Sequence, residues 1–372
     1  MLYDAITIDT NIFDRNRLHL EGGMLGQLTQ FKDGTAQFVL SEIVVREVAS
    51  HLDKEAKDAA DALEKAIKKL KDNRLLNIED LERLTNVQKS ALSPKDAADI
   101  RLKSFLEKTG SYIVPADKTD IKALINRYFT TAAPFESSGK KKSEFPDAIA
   151  LLSLENWAIS EGKKVLAISD DVGWADFAKS SEVIDVESDL ATALQKLQEH
   201  VEQAETYVRT LLTDLESGKA PNLLQLIEQG IADAVSELEP FVEASAPYDF
   251  EVEQISMSYR SFAFLHDRGE HELAVVQIGR DKIVARIGIS VTAQAEAEFS
   301  FAIWDSIDKE YVPMGSNSAE REIEFDAAVL VTIEGDLIDP SRGKVHISEV
   351  ELVDAITDVD FDEVQIDWGT DD

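Results

Sequence analysis

The chain predicts an α/β fold over residues 1–187, a parallel sheet flanked by helices, followed by a helical linker at 188–245 and an acidic, antiparallel β-rich domain at 246–372. Three observations predict it. Short apolar runs alternate with helix-like stretches through the first half, as in a parallel sheet with helices on both faces. From about Tyr248 the apolar period becomes two, the pattern of antiparallel strands with one buried face. The charge is also split, with 27 Lys and Arg against 34 Asp and Glu in residues 1–200, but 11 against 38 in residues 201–372.

Taken in order, the run containing Ile6 and Ile8 reads as a buried parallel strand that ends in Asp9, Thr10 and Asn11. Leu18–Phe31 predicts a short helix closed by Asp33-Gly34, and Thr35–Leu40 a second strand with Ser41 as N-cap. A long helix follows from about Glu42 to Leu70, its latter part a charged, solvated arm. Ser93-Pro94 opens a helix through Lys108, stopped by Thr109-Gly110. Tyr112–Val114 is a strand and Asp117–Phe129 a helix. A polar, basic loop at Thr130–Glu144 holds Lys140, Lys141 and Lys142. Phe145–Ser160 is an apolar helix, Lys164–Ile168 a strand ending in Ser169-Asp170-Asp171, Val172–Lys179 a helix and Val183–Val186 a last short strand.

Asp189–Leu215 and Asn222–Leu238 predict amphipathic helices. Period-two runs then cover Glu251–Tyr259, Glu272–Ile278, Lys282–Ala293, Ala295–Trp304, Glu322–Ile333 and Lys344–Leu352. Gly279-Arg280-Asp281, Pro313-Met314-Gly315 and the stretch from Asp339 to Gly343 are expected as turns between them. Val359, Phe361, Val364 and Ile366 could form a last strand in the acidic tail.

Composition narrows the chemistry. The 372 residues contain no cysteine, which excludes disulfides, thiolate metal sites and cysteine nucleophiles. No apolar run approaches the roughly 20 residues a membrane span needs, and no secretory signal pattern opens the sequence, so a cytoplasmic protein is expected. None of the six His residues has another His three or four positions away, and there is no glycine-rich phosphate loop. At −34 overall, the charge concentrates where it repels phosphate backbones, in the second half.

Acidic residues fall at strand ends and on apolar helices. Asp9 ends the first strand, Glu47 borders the stripe of Ile43, Val44, Val48 and Leu52, Asp147 opens an apolar helix, and Asp170 and Asp171 end another strand. Carboxyl edges of open α/β sheets are where ligands bind. Carboxylates gathered there repel, and a divalent cation is the usual relief. Oxygen-only ligands suit Mg²⁺ or Mn²⁺. Such a cluster can activate water for in-line attack on a phosphodiester. Each residue also has a plain structural reading. Asp147 could complement a helix dipole, Asp170 or Asp171 could N-cap the next helix, and Glu47 could pair with a base, whereas nothing local requires Asp9.

In these motifs the sequence resembles the PIN-domain ribonucleases, over about residues 1–187. The resemblance rests on Asp9-Thr10-Asn11, Glu47, Asp147 and Ser169-Asp170-Asp171 in that order. It implies a PIN-like sheet and a metal-dependent endoribonuclease. Asp9, Glu47, Asp147 and Asp171 would be the catalytic metal-binding carboxylates, with Asp170 competing with Asp171. Thr10, Asn11 and Ser169 would support them or orient phosphate, and Lys140, Lys141 and Lys142 could contact the RNA backbone. The interval from Glu47 to Asp147 is longer than in compact members, because of the arm near residues 52–110. By analogy, a toxin or defence role is open to such a chain.

Two other readings compete. A phosphatase of the haloacid-dehalogenase type would use Asp9 as nucleophile and Ser41, but it wants a carboxylate where Asn11 stands and leaves Glu47 and Asp147 idle. An inactive PIN-like fold acting as a binding module would have no reason to keep mutually repelling acids. The acidic C-terminal half is expected to serve a protein partner, self-association or control of the site, by competing with RNA for the nuclease groove.

Overall fold

Strand β1 (Ala5–Ile8) is buried along its whole length, as the middle strand of a parallel sheet must be. In the computed structural model the chain divides into two units, Met1–Leu197 and Gln198–Asp372. The structure describes residues 3–32, 34, 36–135, 144–198, 201–279, 282–306, 309–335 and 346–366.

In the first unit β1 runs directly into helix α1 (Thr10–Arg15). The stretch expected as one helix at Leu18–Phe31 is instead a short helix, α2 (Gly23–Gly26), and a 3₁₀ turn at Gln27–Phe31. Leu18 itself takes the left-handed conformation, which no helix accommodates. Strand β2 (Gln37–Ser41) passes into α3 (Glu42–Asp72), where the Ser41 hydroxyl caps the helix by accepting from the Ile43 amide. Helix α4 (Ile78–Ser90), not anticipated, has no buried residue, although Ile78, Leu81, Leu84 and Val87 recur along it every third position. Then come α5 (Pro94–Thr109), β3 (Tyr112–Val114), α6 (Ile121–Thr130), α7 (Phe145–Glu161), β4 (Val165–Ile168), α8 (Val172–Ala178), β5 (Ile184–Glu187) and α9 (Leu190–Lys196).

All five strands are parallel, in the order β3-β2-β1-β4-β5. The chain builds outward from β1 on one side, then returns to build on the other, so the order switches between β1 and β4. That is where an open α/β sheet has its crevice. Ile8 pairs with Ile168 across the switch, so Asp9 and Ser169 emerge side by side at the carboxyl edge. Beneath them α7 contributes Ala148, Leu151, Leu152 and Leu154 to a core shared with Trp174 and Phe177 of α8.

The second unit begins with α10 (Val201–Glu216) and α11 (Pro221–Ser236). The single helix expected at Asp189–Leu215 is thus two, one in each unit, and Gln198 between them bonds the backbone of Val276 and Ile278. Strands follow as β6 (Phe241–Ser245), β7 (Asp249–Phe264), β8 (His266–Asp267), β9 (Glu270–His271), β10 (Leu273–Ile278), β11 (Lys282–Asp305), β12 (Glu310–Glu334), β13 (His346–Val353) and β14 (Asp358–Glu363). The two runs expected at 282–304 are one continuous strand. Its partner β12 also runs through Pro313-Met314-Gly315, where a turn was expected. The pairing slips there by one residue, from Phe301–Gly315 to Ala302–Pro313, and a proline, which has no N–H to give a ladder, tolerates a bulge.

β7 and β10 share one edge of β11, while β13 lines the far edge of β12. Inward-facing residues of β11, from Ile287 to Phe301, form a core with Val208 and Leu212 of α10 and with Ile227 and Ile231 of α11. Gly230 lets α11 approach the sheet, since a Cβ there would meet Val350 at 2.7 Å. The acidic tail does supply a last strand, β14, which pairs in parallel with β6 and buries Val359 and Phe361. Among the described residues no helix is long and apolar enough to cross a membrane.

Candidate metal centre

The carboxyl edge of β1 and β4 holds a network that starts at Asp9. Asp9 caps α1, its Oδ1 accepting from the Thr10 amide at 2.7 Å, so the fold does give this carboxylate a local structural role. Oδ2 accepts from the Ser169 hydroxyl at 2.7 Å. Because Ser169 has one proton and spends it on Asp9, its oxygen can only accept from Asn11 Nδ2 at 3.1 Å and from the Asp171 amide at 3.1 Å. That settles the orientation of the Asn11 amide, and leaves its buried Oδ1 with no partner among the described residues. From the other side the Thr10 hydroxyl donates to Glu47 Oε2 at 2.7 Å, fixing a carboxylate carried on the second turn of α3.

Asp147 and Asp171 complete the cluster through Trp174. The indole Nε1 donates to Asp147 Oδ1 at 3.2 Å, and the Trp174 amide donates to Asp171 Oδ1 at 3.1 Å as the cap of α8. Pro146 stands in the first turn of α7, a position that needs no N–H, and sets Asp147 beside it at the start of the helix. Burial pushes the Asp9 carboxyl up to about 7, with the charges of Asp147 and Asp171 adding to it against the Ser169 hydrogen bond. Burial likewise raises Asp147 to about 6, opposed by the Trp174 hydrogen bond and reinforced by Asp171, Glu47 and Glu144. Four acids from four separate segments therefore share one field.

The family model described as PIN domain matches residues 6–174, a span that includes every one of these residues. Residues 6–174 are a PIN domain. No curated protein and no solved structure matches the chain. PIN domains are nuclease-type domains that use divalent metal ions, and the parallel five-stranded sheet of the first unit fits that fold.

The PIN domain site fits a divalent cation on two observations. Its donors are all carboxylate oxygens, hard ligands that suit Mg²⁺ or Mn²⁺. In addition, the orphaned Asn11 Oδ1 is an acceptor of the kind that holds a water of the cation's shell. Asp9, Glu47, Asp147 and Asp171 would hold the ion.

Of the residues picked out from the sequence, Asp9, Thr10, Asn11, Glu47, Asp147, Ser169 and Asp171 are brought together. Asp170 and Asp171 are both exposed, but it is Asp171, the cap of α8, whose charge acts on Asp9 and Asp147. Lys140, Lys141 and Lys142 lie outside the described residues. Sequence reasoning missed Trp174. Its place three residues after a capping Asp was the available signal, since that position points back toward the cap.

Proposed function

We propose that the first unit is a metal-dependent endoribonuclease acting through Asp9, Glu47, Asp147 and Asp171. The observation that carries this reading is the raised proton affinity of Asp9 and Asp147, held in one network with no cationic side chain among the described residues that act on their charge. Such a cluster is costly unless a cation is bound. The cation, once bound, neutralises charge on the scissile phosphate and lowers the pKa of a water that can attack it.

The chain's own groups do the rest. Ser169 and the Thr10 amide keep the Asp9 carboxylate in one orientation, and Thr10 does the same for Glu47. The Trp174 indole aims Asp147 and lowers its proton affinity, which keeps it ionised nearer neutral pH. A shallow pocket of about 310 Å³ next to Glu47, walled by Ile43, Phe145, Pro146 and Ile149 with Arg46 at its side, suits a nucleobase and its phosphate. The phosphatase alternative gains no support, because the residue two positions beyond Asp9 is an amide bonded to Ser169. The strongly acidic second unit suits a protein partner better than RNA.

The test is cleavage of a panel of single-stranded RNAs with Mg²⁺ or Mn²⁺, alongside Asp9→Asn and Asp147→Asn. Metal-dependent cleavage that falls by about a hundredfold or more in both variants is expected. Cleavage that survives chelation, or that both variants retain, overturns the assignment.

A further inference from the structure

A second candidate centre lies wholly in the second unit. Strands β8 and β9 form a small hairpin around Arg268-Gly269, both in the left-handed conformation that a two-residue turn of this kind requires. Its register sets His266 directly opposite His271, five positions apart in sequence. The two rings stand 4.5 Å apart, centre to centre. Glu216, the last residue of α10, reaches both of them, with Oε2 at 3.1 Å from His271 Nε2 and Oε1 at 3.6 Å from His266 Nε2. The three ligand atoms all lie within 4.8 Å of one another.

The surroundings favour a metal over a simple hydrogen-bonded cluster. Tetrahedral Zn²⁺ with bonds of about 2.0–2.1 Å separates its ligand atoms by about 3.3 Å, close to the 3.1 Å between Glu216 Oε2 and His271 Nε2, while the 3.6 Å to His266 is measured from the other carboxylate oxygen. His266 Nδ1 lies 3.1 Å from the Phe264 carbonyl, and donating there leaves Nε2 as the free lone pair. That is the outer hydrogen bond metal-binding imidazoles characteristically make. His271 is nearly buried against Phe264, and Arg209 anchors its backbone by donating to the His271 carbonyl at 2.8 Å. His266 and Glu216 remain more than a third exposed, so the cluster opens to solvent on one side. Two imidazoles and one carboxylate are too soft a set for Mg²⁺ and well suited to Zn²⁺.

We propose that Glu216, His266 and His271 form a Zn²⁺ site, with its fourth position facing solvent, that clasps the β8–β9 hairpin to the end of α10. The site is independent of the PIN domain carboxylates. The experiment therefore uses the full chain carrying Asp9→Asn and Asp147→Asn, so that the first site does not contribute bound metal. After incubation with Zn²⁺ and dialysis, one equivalent of zinc is expected by elemental analysis, with a rise in unfolding temperature. Co²⁺ in its place should give the visible bands of a four-coordinate ion. Adding His266→Gln, at a half-exposed position that should leave the fold intact, is expected to weaken binding by at least about tenfold and to remove the visible bands. Adding Glu216→Gln should act in the same direction. Absence of stoichiometric zinc in the parent chain, or unchanged zinc binding with His266→Gln, overturns the proposal.

Discussion

Asp9→Asn should stabilise the metal-free protein at pH 8 and do so much less at pH 5. Asp9 is only 6% exposed and its carboxyl is pushed up to about 7 from an ordinary 3.8. A folded-state value above the unfolded one favours the fold fully at pH below about 3.8, and that benefit is lost as pH rises through about 7. At pH 8 the ionised group therefore costs about 4 kcal/mol, at 1.36 kcal/mol per pH unit, and at pH 5 only about 1.6 kcal/mol. Asparagine is as good a helix cap as aspartate and keeps the acceptor for the Thr10 amide. The Ser169 hydrogen bond to the ionised carboxylate already lowers the value to about 7, so its loss is contained in these figures. The net expectation is a gain of up to about 4 kcal/mol at pH 8 and of no more than about 1.6 kcal/mol at pH 5. Urea unfolding in the presence of a chelator, followed by tryptophan fluorescence, measures both. Saturating Mn²⁺ should reverse the ranking at pH 8 by stabilising the wild type alone. A stability difference that is the same at both pH values would refute the electrostatic reasoning.

Two further perturbations test neighbouring links. Trp174→Phe removes the indole donor to Asp147, so the proton affinity of Asp147 should rise above its present level of about 6. The acidic limb of metal-dependent cleavage should then move up by about one pH unit; a limb that stays in place would show the indole only packs. In the second unit, Gly230→Val drives side-chain atoms into Val350, whose Cβ lies 2.7 Å from where a Cβ at 230 would sit. A loss of about 1–3 kcal/mol by chemical denaturation is expected, partly restored by adding Val350→Ala. If the double variant is no better than Gly230→Val alone, the close approach of helix and sheet is not what the glycine provides.

Much of the first unit was legible because its determinants are local. Buried parallel strands read as short apolar runs whichever way the sheet is ordered, and Ser41, Ser93 and Gly110 mark helix ends by their own chemistry. Helix α4 was legible in the spacing of Ile78, Leu81, Leu84 and Val87 and in its Asn77 cap, but it buries nothing, so it reads equally as part of a solvated charged arm. Pro313 read as a turn because a proline's place in a ladder depends on a bulge set by the opposite strand. Trp174 was missed because its indole meets an acid on a different helix, 27 residues earlier in the chain. The histidine pair escaped a helical spacing rule because a hairpin, with its period of two and its tight turn, brings residues five apart face to face.

By itself the sequence determined which residue types were available and where each strand ends, and that is enough to place Asp9, Glu47, Asp147 and Asp171 at strand termini and helix starts. Only the tertiary structure decided that these carboxylates meet. The β3-β2-β1-β4-β5 order puts a switch point between β1 and β4, and parallel register across it sets Asp9 beside Ser169. It also separates Asp171 from Asp170 by hydrogen bonding, since Asp171 caps α8 and accepts from the Trp174 amide. The physical reason is the range of the forces. Propensity and capping act over a few residues, whereas burial and mutual repulsion raise the proton affinity of Asp9 only once distant segments have closed around it.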